Sequence, residues 1–463
     1  MCVPLLRWPV PAPRFLLVPL FALLPALTVQ AADTGTRLNL DTGAAIAKAA
    51  AAGPSRAQAA PITHNDGPPL SLEAATKLAV SRAPRVRAGR FQVEAARQDA
   101  VRAGRLPDPR LVGGINNLTV TGPQAFDAAA DMMTMRQIGV SQDIPSHAER
   151  EAQKQVAQAG VQVASADEVN LRLSTQRAAA SAWVALWAAQ QERQLLTELR
   201  GQYALAVTLS KARLSGGTGT AAAALATRAN AEQLENRLDA ADADVESARA
   251  TLQRWLGPAA DRPLGRHPDF STLRVPLARL DAEVDRLGPL LRWGPLENKA
   301  DAAVALARAG KHPNWSVSLM YGQRIRLPDM LGIEVGVSLP LFPGNRQDRN
   351  ISARVANRAA VRAQREEAIR AERVAIAQGI ATWQGLDRQI TRYRTKVLPL
   401  AADRSRAALA SYRGGDSLQP WLDARDAEIA TRVAYANALE AWGKAWVALA
   451  YLLPDQNTVE LPQ

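Results

Sequence analysis

The residues best placed to do chemistry are acidic and follow a double glycine. Asp416 comes directly after Arg413-Gly414-Gly415, and Asp423 and Asp426 lie in the stretch behind it. Asp423 and Asp426 are three apart, which puts both carboxylates on one helix face. Gathered at a mouth, such groups attract cations and repel one another. The plainer alternative is that they are solvated residues of a first helical turn, favoured there by the helix dipole. A second set is Met132, Met133, Met135, Met320 and Met330, whose thioether sulfurs suit Cu(I) or Ag(I). Flexible filler at a lipid or subunit contact is the favoured reading for them. The rest of the inventory argues against an enzyme. There is no P-loop and no paired-histidine helix motif, and His64, His147, His267 and His312 scatter among loops and helix ends. No cofactor and no resident metal site is expected.

The first 31 residues read as a secretion signal. Arg7 and Arg14 precede an apolar run from Phe15 to Val29 that is broken by Pro19 and Pro25, and Val29-Gln30-Ala31 offers small residues for cleavage. The run is too short and too interrupted for a membrane helix. Cys2, the one cysteine, leaves with it, so no disulfide or thiolate site is expected in the mature chain. The chain carries a formal charge of +12, and the leader holds two of its arginines and no acid. The mature protein stays basic, which suits acidic envelope polymers and lipid head groups; the leader argues against nucleic acid. No later stretch reaches the roughly 18 apolar residues of a membrane helix. A mature chain that crosses a membrane must then do so with closed β-strands.

The elements that position these residues come twice, about 200 residues apart. Arg102-Ala103-Gly104-Arg105-Leu106-Pro107-Asp108 returns as Arg308-Ala309-Gly310-Lys311-His312-Pro313-Asn314, and Ile138-Gly139-Val140-Ser141 as Val335-Gly336-Val337-Ser338. Trp183 returns as Trp383, and Gly216-Gly217 as Gly414-Gly415. Residues 32–69 form a low-complexity extension, 70–257 the first repeat, 258–284 a connector, 285–455 the second repeat and 456–463 a tail. Each repeat opens with helix, then two strands at about 111–121 and 136–144, and at about 315–322 and 332–340. Trp315, Val317, Leu319 and Tyr321 alternate with small or polar residues, as do Ile333, Val335, Val337 and Leu339. These eight are the candidates for a lipid-facing surface; an ordinary half-buried hairpin is the alternative. Long helices follow from Ser146 and from Gly344. Their seam is visible at Ile376, Ile380, Trp383, Leu386, Ile390, Tyr393, Val397 and Leu400. Pro399 should kink the second of them, with Gly201 at the matching place in the first. Each ends at a glycine turn, Gly216–Gly219 or Gly414–Ser417, before a return helix.

This pattern resembles the TolC family of outer-membrane efflux channels. The likeness rests on the signal, the doubled helix–hairpin–helix–helix unit, Ser71-Leu72-Glu73-Ala74-Ala75, and Gly336-Val337-Ser338-Leu339-Pro340-Leu341-Phe342. It implies a mainly α fold with transmembrane β: four strands per protomer, and a homotrimer with a twelve-stranded barrel in outer-membrane lipid and a helical tunnel in the periplasm. It further implies passive conduction for a tripartite efflux pump, with an RND-type inner-membrane pump and a periplasmic adaptor as partners. Residues 115–123 and 132–136 resemble the heavy-metal branch, the CzcC and CusC-like channels, which implies cargo such as Cu/Ag or Co/Zn/Cd. Leu422-Asp423-Ala424 matches the segment that lines the periplasmic constriction, so Asp423, Asp416 and Asp426 become gate candidates, each a ring of three under threefold symmetry. Pro420 stands where some relatives carry a second acid. The tips Gly216, Gly217, Gly219, Gly414, Gly415 and Ser417 become adaptor-docking points. A protein-secretion or drug-efflux duct has the same architecture. A soluble periplasmic coiled-coil adaptor or scaffold is the reading from another class, which the strand alternation disfavours.

Overall fold

A Ser-x-x pattern starts the first helix and a proline divides it. In the computed structural model, which describes residues 68–454, Ser71 Oγ accepts from the Ala74 amide at 3.1 Å and caps α1 (Leu72–Arg82). Ala83 is extended because Pro84 follows it, and Pro84 opens α2 (Pro84–Arg102) where its missing N–H costs nothing. Strands β1 (Arg110–Asn116) and β2 (Met135–Ile144) come next, then α3 (His147–Ser215) and α4 (Ala221–Leu256). A connector of short turns contains α5 (Leu277–Ala282). The second copy supplies α6 (Trp293–Ala309), β3 (Trp315–Arg324), β4 (Met330–Val337), α7 (Gln347–Arg392), α8 (Leu398–Arg413) and α9 (Gln419–Ala450). The leader, Cys2, His64, residues 32–67 of the extension and the 456–463 tail lie outside the described residues.

Helix α3 runs 69 residues without a break. At 1.5 Å per residue it is about 100 Å long. It packs against α2, α4, α6 and α9, so it is the spine on which both repeats are laid. The second long helix is interrupted. Pro399 cannot donate to the carbonyl one turn back, and a π-helical turn fills Tyr393–Val397 just ahead of it. The turn absorbs one extra residue, so the seam shifts. Leu400 is 67% exposed, while Ser405 and Tyr412 are buried. Gly201 leaves α3 uninterrupted.

The two copies are anchored alike. The Trp183 indole N–H donates to the Leu70 carbonyl at 2.9 Å, and the Trp383 indole N–H to the Phe270 carbonyl at 2.8 Å, each across 113 residues. The first bond ties the start of its repeat, and the second the connector ahead of its repeat, to the middle of the long helix that follows. Both tryptophans belong to one hydrophobic core with Trp187, Trp442, Trp446, Phe270 and Leu252. Leu70 also pairs with Leu264 in a short parallel bridge, through which the connector closes on the first copy.

The strands form one antiparallel sheet in the order β1-β2-β3-β4. Two strand bounds differ from those the alternation predicts. β1 stops at Asn116 rather than near 121, because Asn117 adopts φ +57° and turns out of the ladder. Its backbone carbonyl accepts from Thr134 Oγ1 and its side-chain Nδ2 donates to the Met133 carbonyl, closing the loop. β4 runs over 330–337 rather than 332–340. Pro340 has no amide to give, and the Leu341 amide turns back to the Leu339 carbonyl. Leu339 is therefore exposed beyond the strand instead of within it.

The anchors differ in one respect that can be measured. The Leu70 carbonyl also accepts from the Gly265 amide at 2.9 Å, so it keeps a partner when Trp183 is shortened. We expect Trp383→Phe to cost about 1 kcal/mol more than Trp183→Phe, the size of one net buried hydrogen bond. Denaturant unfolding of the two variants checks this; equal losses would make the Trp383 bond energetically idle.

Candidate functional site

Two regions concentrate function-bearing geometry: the far end of the helices and the sheet. At the helix end the two tips are built alike. After α3, the Thr218 amide reaches the Arg213 carbonyl at 3.0 Å and the Gly217 amide reaches Leu214 at 3.2 Å, with Gly217 at φ +71°. After α8, the Asp416 amide reaches Ser411 at 3.2 Å and the Gly415 amide reaches Tyr412 at 3.3 Å, with Gly415 at φ +114°. Both are Schellman stops, whose left-handed residue favours glycine. The tips lie side by side. Arg213 donates to the Tyr412 carbonyl at 2.6 Å and stacks its guanidinium 4.0 Å above the Tyr412 ring. A cleft of about 380 Å³ opens between them, lined by Gly219 and Thr220 on one side and by Gly415, Asp416 and Ser417 on the other.

The three aspartates part company here. Asp416 sits in the second tip. Asp423 is exposed, with its carboxylate accepting from Gln419 Nε2 at 2.7 Å. Asp426 is half-buried and accepts from the Tyr203 hydroxyl of α3 at 3.5 Å. Burial, reinforced by the Asp426 charge, pushes the Tyr203 phenol well above its ordinary pKa, so it remains a donor at neutral pH. Sharing one helix face therefore does not give Asp423 and Asp426 one environment, because α3 covers only the second.

Sequence reading misses a buried charge network one turn further on. Glu428 is 2% exposed and accepts from Arg425 at 2.6 Å and from Arg432 at 2.9 Å. Arg432 also reaches Glu198 of α3 at 3.3 Å. The i, i+3 and i, i+4 spacing of 425, 428 and 432 is the signal that predicts these pairs, but not their burial. Asn314 is a second residue of this kind, at the junction of sheet and helices. Its side chain accepts from the Ser146 amide at 2.8 Å and donates to Glu149 at 3.0 Å, and its backbone pairs with Ser338. One residue thus joins the entry of β3 to the start of α3 through its side chain and to the exit of β4 through its backbone.

The sheet has two unlike faces. Register places Trp315, Val317, Leu319 and Tyr321 level with Val337, Val335, Ile333 and Leu331 on one side. On the other side they meet Ile144, Gln142, Val140 and Ile138, and the last two meet Leu111 and Gly113. Paired residues share a face. This face is apolar except for Gln142 near the helix end and Arg136 and Gln323 near the loops. Apart from the half-buried Ile144, its large residues are exposed, from Val317 at 37% to Leu111 at 75%. The opposite face carries Arg110, Asp143, Ser141, Ser316, Ser318, Glu334, Gln137 and several glycines, with Arg110 and Asp143 paired at 2.8 Å. A soluble protein would cover the apolar face; here it is left bare. Strands β1 and β4 each keep one free edge.

Two substitutions probe the helical end. Removing the Glu428 carboxylate leaves the buried Arg425 guanidinium uncompensated and Arg432 with Glu198 alone, so Glu428→Leu should cost about 3–5 kcal/mol. The double variant with Arg425→Leu should recover part of that loss in thermal unfolding; no recovery would mean that the charges are not coupled. Glu192 of α3 titrates in the opposite sense from a paired carboxylate. Burial first, then Asp244 and Glu440, raise its pKa. The folded state therefore holds this proton more tightly than the unfolded state, and stability is lost as pH rises from the ordinary value toward the raised one. Glu192→Gln should thus stabilise at neutral pH and have no effect below about pH 4, where both states are protonated. A gain that persists in acid would exclude titration as its cause.

Residues 296–453 match the family described as outer membrane efflux protein. A search of curated proteins returns no match. Solved structures share the fold over most of the chain. A membrane protein from Pseudomonas aeruginosa superposes with a TM-score of 0.71 at 18% identity, over 83% of this chain and 93% of its own. CusC, described in terms of folding and transmembrane channel formation, gives 0.69 at 17% over 83% and 92%. The CmeC outer membrane channel of Campylobacter jejuni gives 0.69 at 14% over 82% and 85%. The second repeat therefore carries the segment described as outer membrane efflux protein, and the chain as a whole shares the doubled fold of these structures.

Proposed function

We propose that the chain is the exit duct of a tripartite efflux pump, three copies of which close one twelve-stranded barrel in the outer membrane above a helical tunnel. The observation that carries this reading is the two-faced sheet with both edges free. Each N–H or C=O left without a partner in lipid costs several kcal/mol. Two edges of one sheet are satisfied together when β1 of one copy pairs with β4 of the next. Four strands are too few to close a barrel, for which about eight is the small limit. Among the described residues no helix is long and apolar enough to cross a membrane. Beyond the helix end of β4, Leu339, Leu341 and Phe342 are 63–85% exposed and extend the apolar belt.

Conduction is passive in this reading, and no bond is made. The cargo is heavy-metal cations, delivered by an inner-membrane RND-type pump through a periplasmic adaptor. The first hairpin's resemblance to the heavy-metal branch supports this. The paired tips, with the cleft between them, suit the ends of an adaptor's helical hairpins. Asp423 is the gate residue best placed to meet permeating cations, because its carboxylate is exposed and not drawn onto α3. Three such carboxylates around a narrow mouth favour cations.

Single-channel recording in planar bilayers tests this. The purified oligomer should conduct, and Asp423→Ala should raise its conductance or weaken its cation preference, with a smaller effect from Asp426→Ala. Unchanged conductance and selectivity in Asp423→Ala would remove that residue from the gate.

A further inference from the structure

Methionine is placed unevenly on the sheet. The exposed apolar face is built of Val, Ile, Leu, Trp and Tyr and holds no methionine. Met135, Met320 and Met330 all fall on the opposite face, among Ser, Gln, Gly and charged residues. That disagrees with their reading as filler at a lipid contact, since filler belongs on the face with something to fill. Their neighbours are glycines. Met320 is level with Gly139 and Gly332, and Met330 with Gly322. The Met320 sulfur lies over Gly139, so that a side chain there would collide with it. The Met135 sulfur stands 3.5 Å from the point a Cβ on Gly322 would occupy. Met135 and Met330 therefore approach the same glycine from its two sides. Met320 and Met330 are diagonal neighbours on adjacent strands, about 7–8 Å apart, within reach of two flexible thioether arms.

We propose that these three methionines form a thioether band on the inner wall of the barrel that binds soft monovalent cations, Cu(I) or Ag(I), in transit. This rests on the channel reading for the word inner; the ligand set itself does not depend on it. Thioether sulfur is a soft, neutral donor that selects Cu(I) over hard divalent ions. Among the described residues no group of three His, Cys, Asp or Glu is arranged to hold a metal, so no harder site competes. The absence of charge on the ligands matters for passage. A conducting wall must bind well enough to admit an ion and weakly enough to release it, best at several neighbouring sites. Repetition around a closed barrel multiplies the band by the number of copies.

The probe is Ag(I), which is redox-stable, titrated into the purified full chain in chloride-free nitrate buffer. Cys2→Ser is included throughout so that no thiol binds silver. Calorimetry should show silver binding that falls at least tenfold in affinity in the Met135→Leu/Met320→Leu/Met330→Leu variant. It should persist in Met132→Leu/Met133→Leu, whose sulfurs lie in the loop. If the triple variant fails to assemble, Met320→Leu and Met330→Leu singly should each weaken binding. Silver affinity unchanged in the sheet variants, or no silver binding by the parent protein, overturns the proposal. Conductance in potassium nitrate separates the two readings: a protein that binds silver through these residues but does not conduct keeps the site and loses the channel.

Discussion

A β-sheet that faces lipid has no water to satisfy its edges, and this constraint governs the rest of the molecule. The sheet here has four strands, an exposed apolar face and two open edges. In the proposed assembly each edge is satisfied by another copy, so the protomer is incomplete as a fold. The helices inherit the consequence. Copies that share a barrel must also set their helices side by side, and α2 and α7 are the outermost of the run α2, α3, α6 and α7. Sheet and helices are joined at Asn314, where strand entry, strand exit and the start of α3 meet.

Duplication explains how one chain builds so long an object from simple parts. Each half repeats a tryptophan anchor, a glycine stop and a return helix. The copies diverge where they have different work. α3 is continuous and serves as a spine, while its counterpart is broken by Pro399 into α7, a wide turn and α8. The second return helix carries Asp423, Asp426 and the buried Glu428 network. The first carries Thr220 as its cap, and its second tip position is Thr218 where the other has Asp416. Of two otherwise matched glycine turns, only the second thus carries a carboxylate.

Much of this was legible in the residues, because helix lengths, glycine stops and strand alternation are local properties. The repeat, the helix starts at Ser71 and Ser146 and the run of Trp315 to Tyr321 follow from spacing alone. What escaped depended on contacts far apart in sequence or on one residue's backbone. Asn117 ends β1 by taking a left-handed turn that its neighbours do not announce. Leu400 leaves the seam because the turn before Pro399 takes in one residue more than an α-helix would. Asp426 differs from Asp423 only because Tyr203, 223 residues away, covers it. The face chosen by the methionines needed the register of β2, β3 and β4 together, which alternation within one strand does not supply. Gate and docking roles remain readings of position, supported by exposure at Asp423 and by the paired tips.

The central claim is that the sheet is completed in the outer membrane by other copies of the chain. Fractionating native envelopes and sizing the unheated detergent extract tests it most directly. The account predicts a protein found in the outer membrane, released only by detergent, at about three times the protomer mass, falling to the monomer on heating. A soluble periplasmic monomer would contradict it, and the apolar face of the sheet would then need another cover.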